Sequence, residues 1–373
     1  MREALVSRAG RHLRSWVTGS PLTRRAEGTG TGTGTGSIVL EDAGHLATLL
    51  GSGVVGPRSI VLVPGEHNGE AHLDTGGTVV GYEGSLSEPG GDAAVGGAIF
   101  LQIQDYGTSP YMSLLGTTLI RVAGQSDFEA FLADADQARA EGTFAAFAAS
   151  PAVQLADLAG LGGAEPGDGP DTRLHVGHDG RISVSPQGLR LGSVGDPPAA
   201  LRAEWERLAA GDPQGGPVPL GAVMPEEVRA PAVGERPWLG RYLAALELLR
   251  GLQTSGVTQP RVSGFGRRLV PALGEVEAPW DANDPGAPFL AWTSEAVYVQ
   301  TPGRDRTFRL GRRAAEVAEM LLVHGSADAV LERVGRDVRS APVDRALLDR
   351  VLTFFGDRGA PLLPATSSAK VAV

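Results

Sequence analysis

Hydrophobic and polar positions alternate with different periods along the 373-residue chain. Residues 2–17 place apolar side chains at helical spacing opposite four arginines, which predicts an amphipathic helix. From residue 37 to about residue 123, short apolar runs between Pro-Gly and Gly-Gly turns predict strands. Helical spacing predicts two helices within or just after this stretch, at 41–50 and 126–140. The chain therefore reads as an α+β protein, with an N-terminal mixed α/β region whose topology the pattern leaves open.

The middle of the chain contains a repeat, a hairpin and two helices. A strict Gly-Thr alternation at 28–36 predicts a flexible linker. Two runs around the turn His178-Asp179-Gly180 predict a β-hairpin, because Asp-Gly suits tight primed turns. Helices are predicted at 198–210 and 238–253. We expect five regions: an N-terminal helix and linker (1–36), an α/β domain (37–165), a hairpin and helical region that is separate from that domain or continuous with it (166–287), a C-terminal module (288–364) and a tail (365–373).

The C-terminal module has the most specific order of elements. Short strands are predicted at 289–292, 297–300 and 307–310, with a Pro-Gly turn at Pro302. Helical runs then begin at Arg312, Ser326 and Val343, and glycines follow the first and third of them. A β-hairpin on three helices is a winged helix-turn-helix layout, and this is the fold that we predict for residues 288–364.

Charge distinguishes this module from the rest of the chain. The whole protein has a net charge of −10, which argues against broad nucleic-acid binding. The module instead carries 11 arginines against ten acidic residues. Five of these arginines lie on or beside one predicted strand, with only Asp305 among them: Arg304, Arg306, Arg309, Arg312 and Arg313. The sequence thus predicts a local basic edge on an acidic protein.

Composition excludes several kinds of chemistry. The chain has no cysteine, so disulfides, thiolate metal sites, iron–sulfur clusters and thiol nucleophiles are excluded. It has neither an apolar core of signal-peptide length near its start nor an apolar run of membrane-spanning length. We therefore expect a cytoplasmic protein with no membrane partner.

Candidate catalytic residues are few. His67 and His72 flank Glu70, but five residues apart they do not share a helical face. His175 and His178 are three apart on a predicted strand and should point to opposite faces. The most polar and aromatic loop of the first domain holds Asp105, Tyr106 and Tyr111. No nucleophile elbow, nucleotide fingerprint or kinase pattern occurs. We predict no catalytic residue, metal or cofactor.

The C-terminal module resembles a known family. Its run TFRLGRRAAEVAEMLLVHGSADAVLERV, followed by VDRALLDRVLTFFGDRGAPLL, is similar to the PqqD-like RiPP recognition element of ribosomally made, modified peptide pathways. With its large N-terminal part, the chain looks most like the recognition proteins of daptide-type natural product biosynthesis. The resemblance implies an adaptor that binds the leader of a precursor peptide. It also implies partner enzymes of the oxidative decarboxylase or dehydrogenase, aminotransferase or methyltransferase class.

The resemblance implies a binding cleft between the third strand and the third helix, where the leader adds as a further strand. An exposed edge strand at 307–310 fits this mode, because unpaired backbone groups recruit an extended peptide. We expect three arginines to pair with leader carboxylates and the other residues to form the strand and its apolar pockets. The predicted peptide-binding residues are Arg306, Thr307, Phe308, Arg309, Leu310, Arg345, Leu347, Val351 and Phe354.

Two alternatives from other classes stay open. A winged-helix DNA-binding regulator would place a recognition helix in the major groove. The third helix, however, alternates arginines with aspartates, including Asp344 and Asp349, and this is a poor match for phosphates. The second alternative is an enzyme of the same pathway with its active site in residues 37–150. We favour the non-catalytic adaptor, with no nucleic-acid partner.

Overall fold

The structure is a computed structural model of the chain. It describes most of the sequence, and the statements below concern those parts alone. The described residues are 2–22, 34–65, 71–72, 76–163, 168–210, 212, 215–277, 279–303, 306–334 and 343–363. Most of the predicted Gly-Thr linker and the predicted tail lie outside them.

The chain divides into two compact units. Unit 1 comprises residues 1–133, 146–148 and 152–237, and unit 2 comprises 134–145, 149–151 and 238–373. The described residues contain a large mixed sheet, a smaller antiparallel sheet and ten α-helices, which agrees with the α+β class in its coarse form. The five predicted regions stay a prediction.

Unit 1 is built on an eleven-stranded sheet. Its strands are β1 (Thr35–Leu40), β2 (Val55–Pro64), β3 (Ala71–His72), β4 (Thr78–Gly84), β5 (Asp92–Val95), β6 (Ile99–Asp105), β7 (Thr117–Arg121), β8 (Val153–Leu155), β9 (Arg173–Val176), β10 (Arg181–Ser183) and β11 (Gly192–Ser193). Its helices are α1 (Arg2–Thr18), α2 (Leu46–Gly51), the first half of α3 (Gln125–Glu141), α4 (Pro198–Leu208), α5 (Pro217–Leu220) and α6 (Glu226–Gly234).

The sheet is mixed, with five parallel and five antiparallel strand pairs among the described residues. Its order is β11-β10-β9-β1-β2-β4-β5-β6-β7-β8, with β3 on β4. Pairs β9–β1, β1–β2, β2–β4, β6–β7 and β7–β8 are parallel. The chain leaves β1 towards β2 on one side and later returns to place β9 on the other side of β1. The carboxyl ends of β1 and β9 thus flank a topological switch point, where ligands of open α/β sheets commonly bind.

Two apolar layers cover the central strands of this sheet. Ile38 and Leu40 pack into one core with Leu49 of α2 and Leu201 of α4. The intervening Val39 faces the opposite core, which contains α1 residues. This alternation follows from the two-residue period of a strand. The predicted amphipathic helix at 2–17 is confirmed as α1, and Leu13, Trp16 and Val17 are buried in that second core.

Unit 2 contains the second half of α3 and the smaller sheet. Its remaining elements are α7 (Leu239–Thr254), β12 (Arg261–Val262), β13 (Phe289–Trp292), β14 (Val297–Gln300), β15 (Thr307–Leu310), α8 (Arg312–His324), α9 (Ala327–Val334) and α10 (Arg345–Gly356). The strands form an antiparallel sheet in the order β12-β13-β14-β15. The sequence predicted three of these strands and missed β12, which is only two residues long.

Register determines which side chains of this sheet meet the helices. Trp292, Val297 and Leu310 stand opposite one another across β13, β14 and β15 and share one face. That face packs on α8 and α10 in one core, which includes Val317, Leu321, Leu348 and Phe355. On the opposite face, the guanidinium of Arg241 from α7 lies 4.0 Å from the centre of the Phe289 ring. The sheet therefore carries helices on both faces.

A buried carboxylate ties α8 to the loop that follows β12. Glu319 is fully buried and accepts hydrogen bonds from the Ser263 hydroxyl at 2.6 Å, the Leu269 N–H at 2.8 Å and the Val270 N–H at 2.6 Å. Burial raises the pKa of Glu319, and these three hydrogen bonds oppose that rise. A buried charge is tolerated only when such partners surround it, so Glu319 fixes where this loop lies against the helix.

Replacing Glu319 with alanine should destabilise unit 2 by about 3 kcal/mol or more, since three buried donors lose their acceptor. The neighbouring Glu316 makes only partly exposed ion pairs with Arg312 and Arg313. Glu316→Ala is the matched control on the same helix and should cost at most about 1 kcal/mol. Urea unfolding of the full chain measures both, and equal losses would contradict the structural role of Glu319.

Candidate functional site

The last strand of the smaller sheet has one unpaired edge. Within the described residues, β15 pairs only with β14, in the register Val299 to Phe308 and Gln300 to Thr307. Backbone N–H and C=O groups on the other edge of β15 have no strand beside them in the described part of the chain. Such an edge is a template for one further strand. Thr307 and Arg309 are exposed, whereas Phe308 and Leu310 are half-buried against the core.

Aromatic rings hold α10 next to this edge strand. The Phe308 ring lies 6.1 Å from the Phe354 ring and 5.5 Å from the Phe355 ring, centroid to centroid, with both pairs close to perpendicular. Phe354 and Phe355 themselves pack at 5.2 Å. Phe355 is buried, but 37% of Phe354 is exposed. The edge strand β15 therefore lies next to the partly exposed Phe354 of α10.

The predicted apolar residues of α10 divide into two depths. Leu347 is half-buried, and Phe354 is the exposed large hydrophobic of this helix. Val351 is only 7% exposed and belongs to the core. With about 100° of rotation per residue, Leu347 and Phe354 lie within roughly 20° of each other on the helix surface. The side of α10 next to β15 thus presents Leu347 and Phe354 above Val351.

Arg345 does not join this surface. It lies two residues before Leu347, about 200° around the helix, and thus on the other side. Its guanidinium contacts Asp328 of α9 and lies 3.3 Å from Asp349. These carboxylates raise the pKa of Arg345 and occupy its donors. The expectation that Arg345 pairs with leader carboxylates stays a prediction, and in this arrangement Arg345 already has two carboxylate partners. Sequence reasoning overlooked Arg350, which is exposed on the same side as Leu347.

Some arginines of the predicted basic edge already have ion-pair partners. Arg312 and Arg313 both pair with Glu316, at 3.0 and 3.6 Å. Arg304 and Asp305 lie outside the described residues. Arg306 and Arg309 are exposed, and within the described part of the chain neither side chain has an ion-pair partner. Of the four predicted arginines that the structure describes, two are therefore available beside β15.

The candidate residues in the polar loop of unit 1 lie at different depths. Tyr106 is buried against the rings of Phe131 and Phe147, whereas Tyr111 is 90% exposed. Asp105 lies at the end of β6, and burial, then the charge of Asp127, raises its pKa. The structure brings Asp105 next to the buried tyrosine but leaves Tyr111 apart from them.

A polar cluster that sequence reasoning missed lies at the switch point of the larger sheet. Glu41 follows β1, and its carboxylate lies 3.1 Å from Nε2 of His175 and 3.7 Å from Nε2 of His178. The Ser87 hydroxyl donates to the same carboxylate. The two histidines were expected on opposite faces of a strand. Both reach Glu41 because His178 lies beyond the end of β9, where strand alternation no longer applies.

The environment of Glu41 shifts its acidity strongly. Burial alone raises the pKa of Glu41. The hydrogen bond and charge of His175, the Ser87 hydroxyl and the charge of His178 outweigh burial and lower the pKa from 4.5 to about 2. This carboxylate therefore stays ionised near neutral pH, and it joins β1, β9 and the segment after β4. The arrangement suits a structural link across the sheet.

Beneath this cluster lies a second set of buried charges. Arg173 of β9 bonds to Asp168 and, at 2.7 Å, to Asp157. Arg121 of β7 lies 3.4 Å from Asp157 and stacks over Trp16, 4.9 Å from its ring centre. All the charges of this set are matched within it. It holds β7, β9 and α1 together, and no open site results.

The described residues contain neither a candidate metal site nor a helix that could span a membrane. No group of three or more His, Asp or Glu side chains there is arranged to hold a metal ion. No helix among the described residues has the length and apolar character needed to cross a membrane.

Comparison with known proteins yields no relative. No protein-family model, no curated protein and no solved structure matches the chain. The functional argument therefore depends on the chemistry of the two units themselves.

Acid should destabilise unit 1 through two groups with lowered pKa values. Burial lowers the pKa of His12 from 6.5 to about 4. Between these pH values the unfolded chain binds a proton at His12 and the folded chain does not, so the free energy of unfolding falls as pH drops from about 6.5 to 4. Glu41 contributes stability above its unfolded pKa of 4.5, and that contribution is lost as pH falls towards 2.

In the Glu41→Gln variant, most of the loss of stability between pH 4.5 and 2, on the order of 2 kcal/mol, should disappear, because the amide does not titrate. Chemical denaturation at several pH values between 2 and 7 measures this. Glu204→Gln, in an exposed helical pair with Arg207, is the control and should keep the wild-type slope. An unchanged slope in the Glu41→Gln variant would show that this carboxylate is not the titrating group.

Proposed function

We propose that this protein is a non-catalytic recognition protein that binds the leader of a ribosomally made precursor peptide by strand addition at β15. The proposed module is a winged helix-turn-helix of the PqqD-like type, formed by β13 to β15 and α8 to α10. The observation that carries the proposal is the unpaired edge of β15 beside the Leu347 and Phe354 surface of α10.

Strand addition explains why backbone and side-chain features coincide there. The main chain of a bound peptide would pair with the open edge of β15, and alternate side chains would meet Leu347, Phe354 and Phe308. Val351 would form the floor beneath them. Arg306 just before β15, Arg309 on β15 and Arg350 on α10 would face carboxylates of the peptide. Exposed pairs of this kind contribute only about 0.2–1 kcal/mol each, so the backbone and apolar contacts carry most of the affinity.

The adaptor role extends to partner enzymes. Four large hydrophobic side chains of unit 1 are exposed within or near the loop after β6: Phe100, Tyr111, Met112 and Leu115. Exposed apolar groups of this size commonly mark protein-binding surfaces. They support the proposal that separate modifying enzymes, of the oxidative, aminotransferase or methyltransferase class, dock on unit 1 while unit 2 holds the peptide.

Binding should depend on the exposed aromatic of α10. A fluorescein-labelled leader from a short peptide encoded next to this gene should bind the full chain saturably in fluorescence anisotropy. Phe354→Ala should weaken it by about tenfold, because the variant removes the most exposed apolar side chain of the cleft. Asp349→Ala, on the opposite side of the same helix, is the matched control and should bind normally. Equal affinities for both variants would contradict the proposed site.

Backbone pairing can be tested on the peptide rather than the protein. Methylating the backbone nitrogens of every second residue removes the N–H groups along one edge of the peptide strand. One of the two possible methylation patterns should abolish binding, since only one edge faces β15, and the other pattern should be tolerated. Equal tolerance of both patterns would rule out strand addition while leaving side-chain binding possible.

A further inference from the structure

Unit 2 contains a cleft at the end of its sheet, away from the β15 edge. The cleft measures about 470 Å³ and is lined by four arginines, Arg261, Arg267, Arg268 and Arg312, and by no acidic residue. Trp292, Leu269 and Pro271 form its apolar walls. No ligand chemistry described above uses it.

Two of the four arginines of this cleft have acidic partners. Arg268 is buried and bonds to Asp281 at 2.6 and 2.9 Å, and Arg312 pairs with Glu316 at 3.0 Å. Arg261 and Arg267 are exposed, and their side chains have no hydrogen-bond or ion-pair partner within the described part of the chain. Two guanidinium groups therefore face the same space without counter-charges, on a protein whose overall charge is −10.

The backbone holds these arginines in place. Arg267 lies in a tight turn, in which Gly264 N–H donates to the Arg267 carbonyl at 3.0 Å. Gly264 and Gly266 in this turn have φ values of +85° and +67°, which favour glycine. The turn is anchored by Ser263, whose hydroxyl donates to the buried Glu319. Arg261 belongs to β12 and stands opposite Trp292 in the sheet. Both guanidinium groups thus extend from fixed backbone.

The cleft lies at the same end of the sheet as Leu310, the last residue of β15. The sheet row Leu310, Val297, Trp292, Arg261 crosses from the end of β15 to the cleft. Strands are spaced about 4.8 Å apart, so this row spans roughly 15 Å. Four or five extended residues cover that distance. A peptide that continues past Leu310 and then turns across the strand ends would pass Arg312 at the start of α8 and reach Arg261 and Arg267.

We propose that this arginine cleft binds aspartate or glutamate side chains of the precursor peptide, in the segment next to the one paired with β15. The inference rests on the proposed function and adds a preference for acidic residues. Guanidinium groups pair with carboxylates through two parallel hydrogen bonds, and the apolar walls weaken competition from water. Arg261 and Arg267 are the specificity-determining residues of this subsite.

A first experiment tests the cleft without the precursor. Fluorescein-labelled hexaglutamate should bind the full chain, hexaglutamine should not, and binding should weaken as sodium chloride rises. Arg261→Gln and Arg267→Gln should each lower the affinity about two- to fivefold, and the double variant about tenfold. Arg333→Gln, an exposed arginine of α9, is the control for the charge change and should have little effect.

Three outcomes of this experiment would overturn the proposal. The first is the absence of hexaglutamate binding, and the second is binding that the double variant leaves unchanged. The third is full displacement of hexaglutamate by low-millimolar inorganic phosphate, which would make the cleft a general anion site. Circular dichroism and thermal unfolding verify that the double variant is folded, as expected for two exposed side chains.

A second experiment links the cleft to the precursor. The labelled leader, with its acidic residues changed to amides, should bind the wild type about tenfold more weakly than the native leader does. On the Arg261→Gln, Arg267→Gln double variant, the amide leader and the native leader should bind equally well. If Phe354→Ala reduces leader binding but the amide changes do not, the cleft assignment is wrong and the β15 site stands. If no leader binds while hexaglutamate does, the proposed function fails together with the assignment of the cleft to a precursor.

Discussion

The contact of Phe308 with Phe354 and Phe355 determines the shape of the candidate site. Edge-to-face aromatic pairs of this kind contribute about 0.5–1.5 kcal/mol beyond the area they bury. Here they fix α10 beside β15, so that an open strand edge and an apolar helix surface lie next to each other. Without this contact the edge strand would be an unprotected pairing edge, of the kind that promotes aggregation. Under the proposed function, a chain that pairs with this edge also meets Leu347 and Phe354.

A second constraint acts from inside unit 2. Glu319 accepts three hydrogen bonds and thereby joins α8 to the turn that carries Arg267. Arg268 links the same turn to Asp281, and Arg241 of α7 lies 3.6 Å from that carboxylate. Buried ionic groups tend to define one arrangement rather than to add stability. The edge strand and the arginine cleft are therefore held on one framework, which suits two subsites for one extended ligand.

The sequence was a good guide to local elements and a poor guide to pairing partners. Periodicity located α1, α7, α8 and the three longer strands of unit 2, because burial on one face imposes it. It missed β12, whose two residues are too short to show alternation. Spacing alone also does not reveal that Asp328 of another helix pairs with Arg345. The Glu41 cluster likewise depends on β1 and β9 being neighbours, and only the sheet order shows this.

The central claim is that a peptide pairs with the open edge of β15. Amide hydrogen exchange of the full chain, with and without the labelled leader, measures it most directly. The account predicts slower exchange on peptide binding at Thr307–Leu310, together with protection of α10 around Leu347 to Phe354. Protection confined to other segments, or saturable binding that leaves the amides of β15 unchanged, would contradict it.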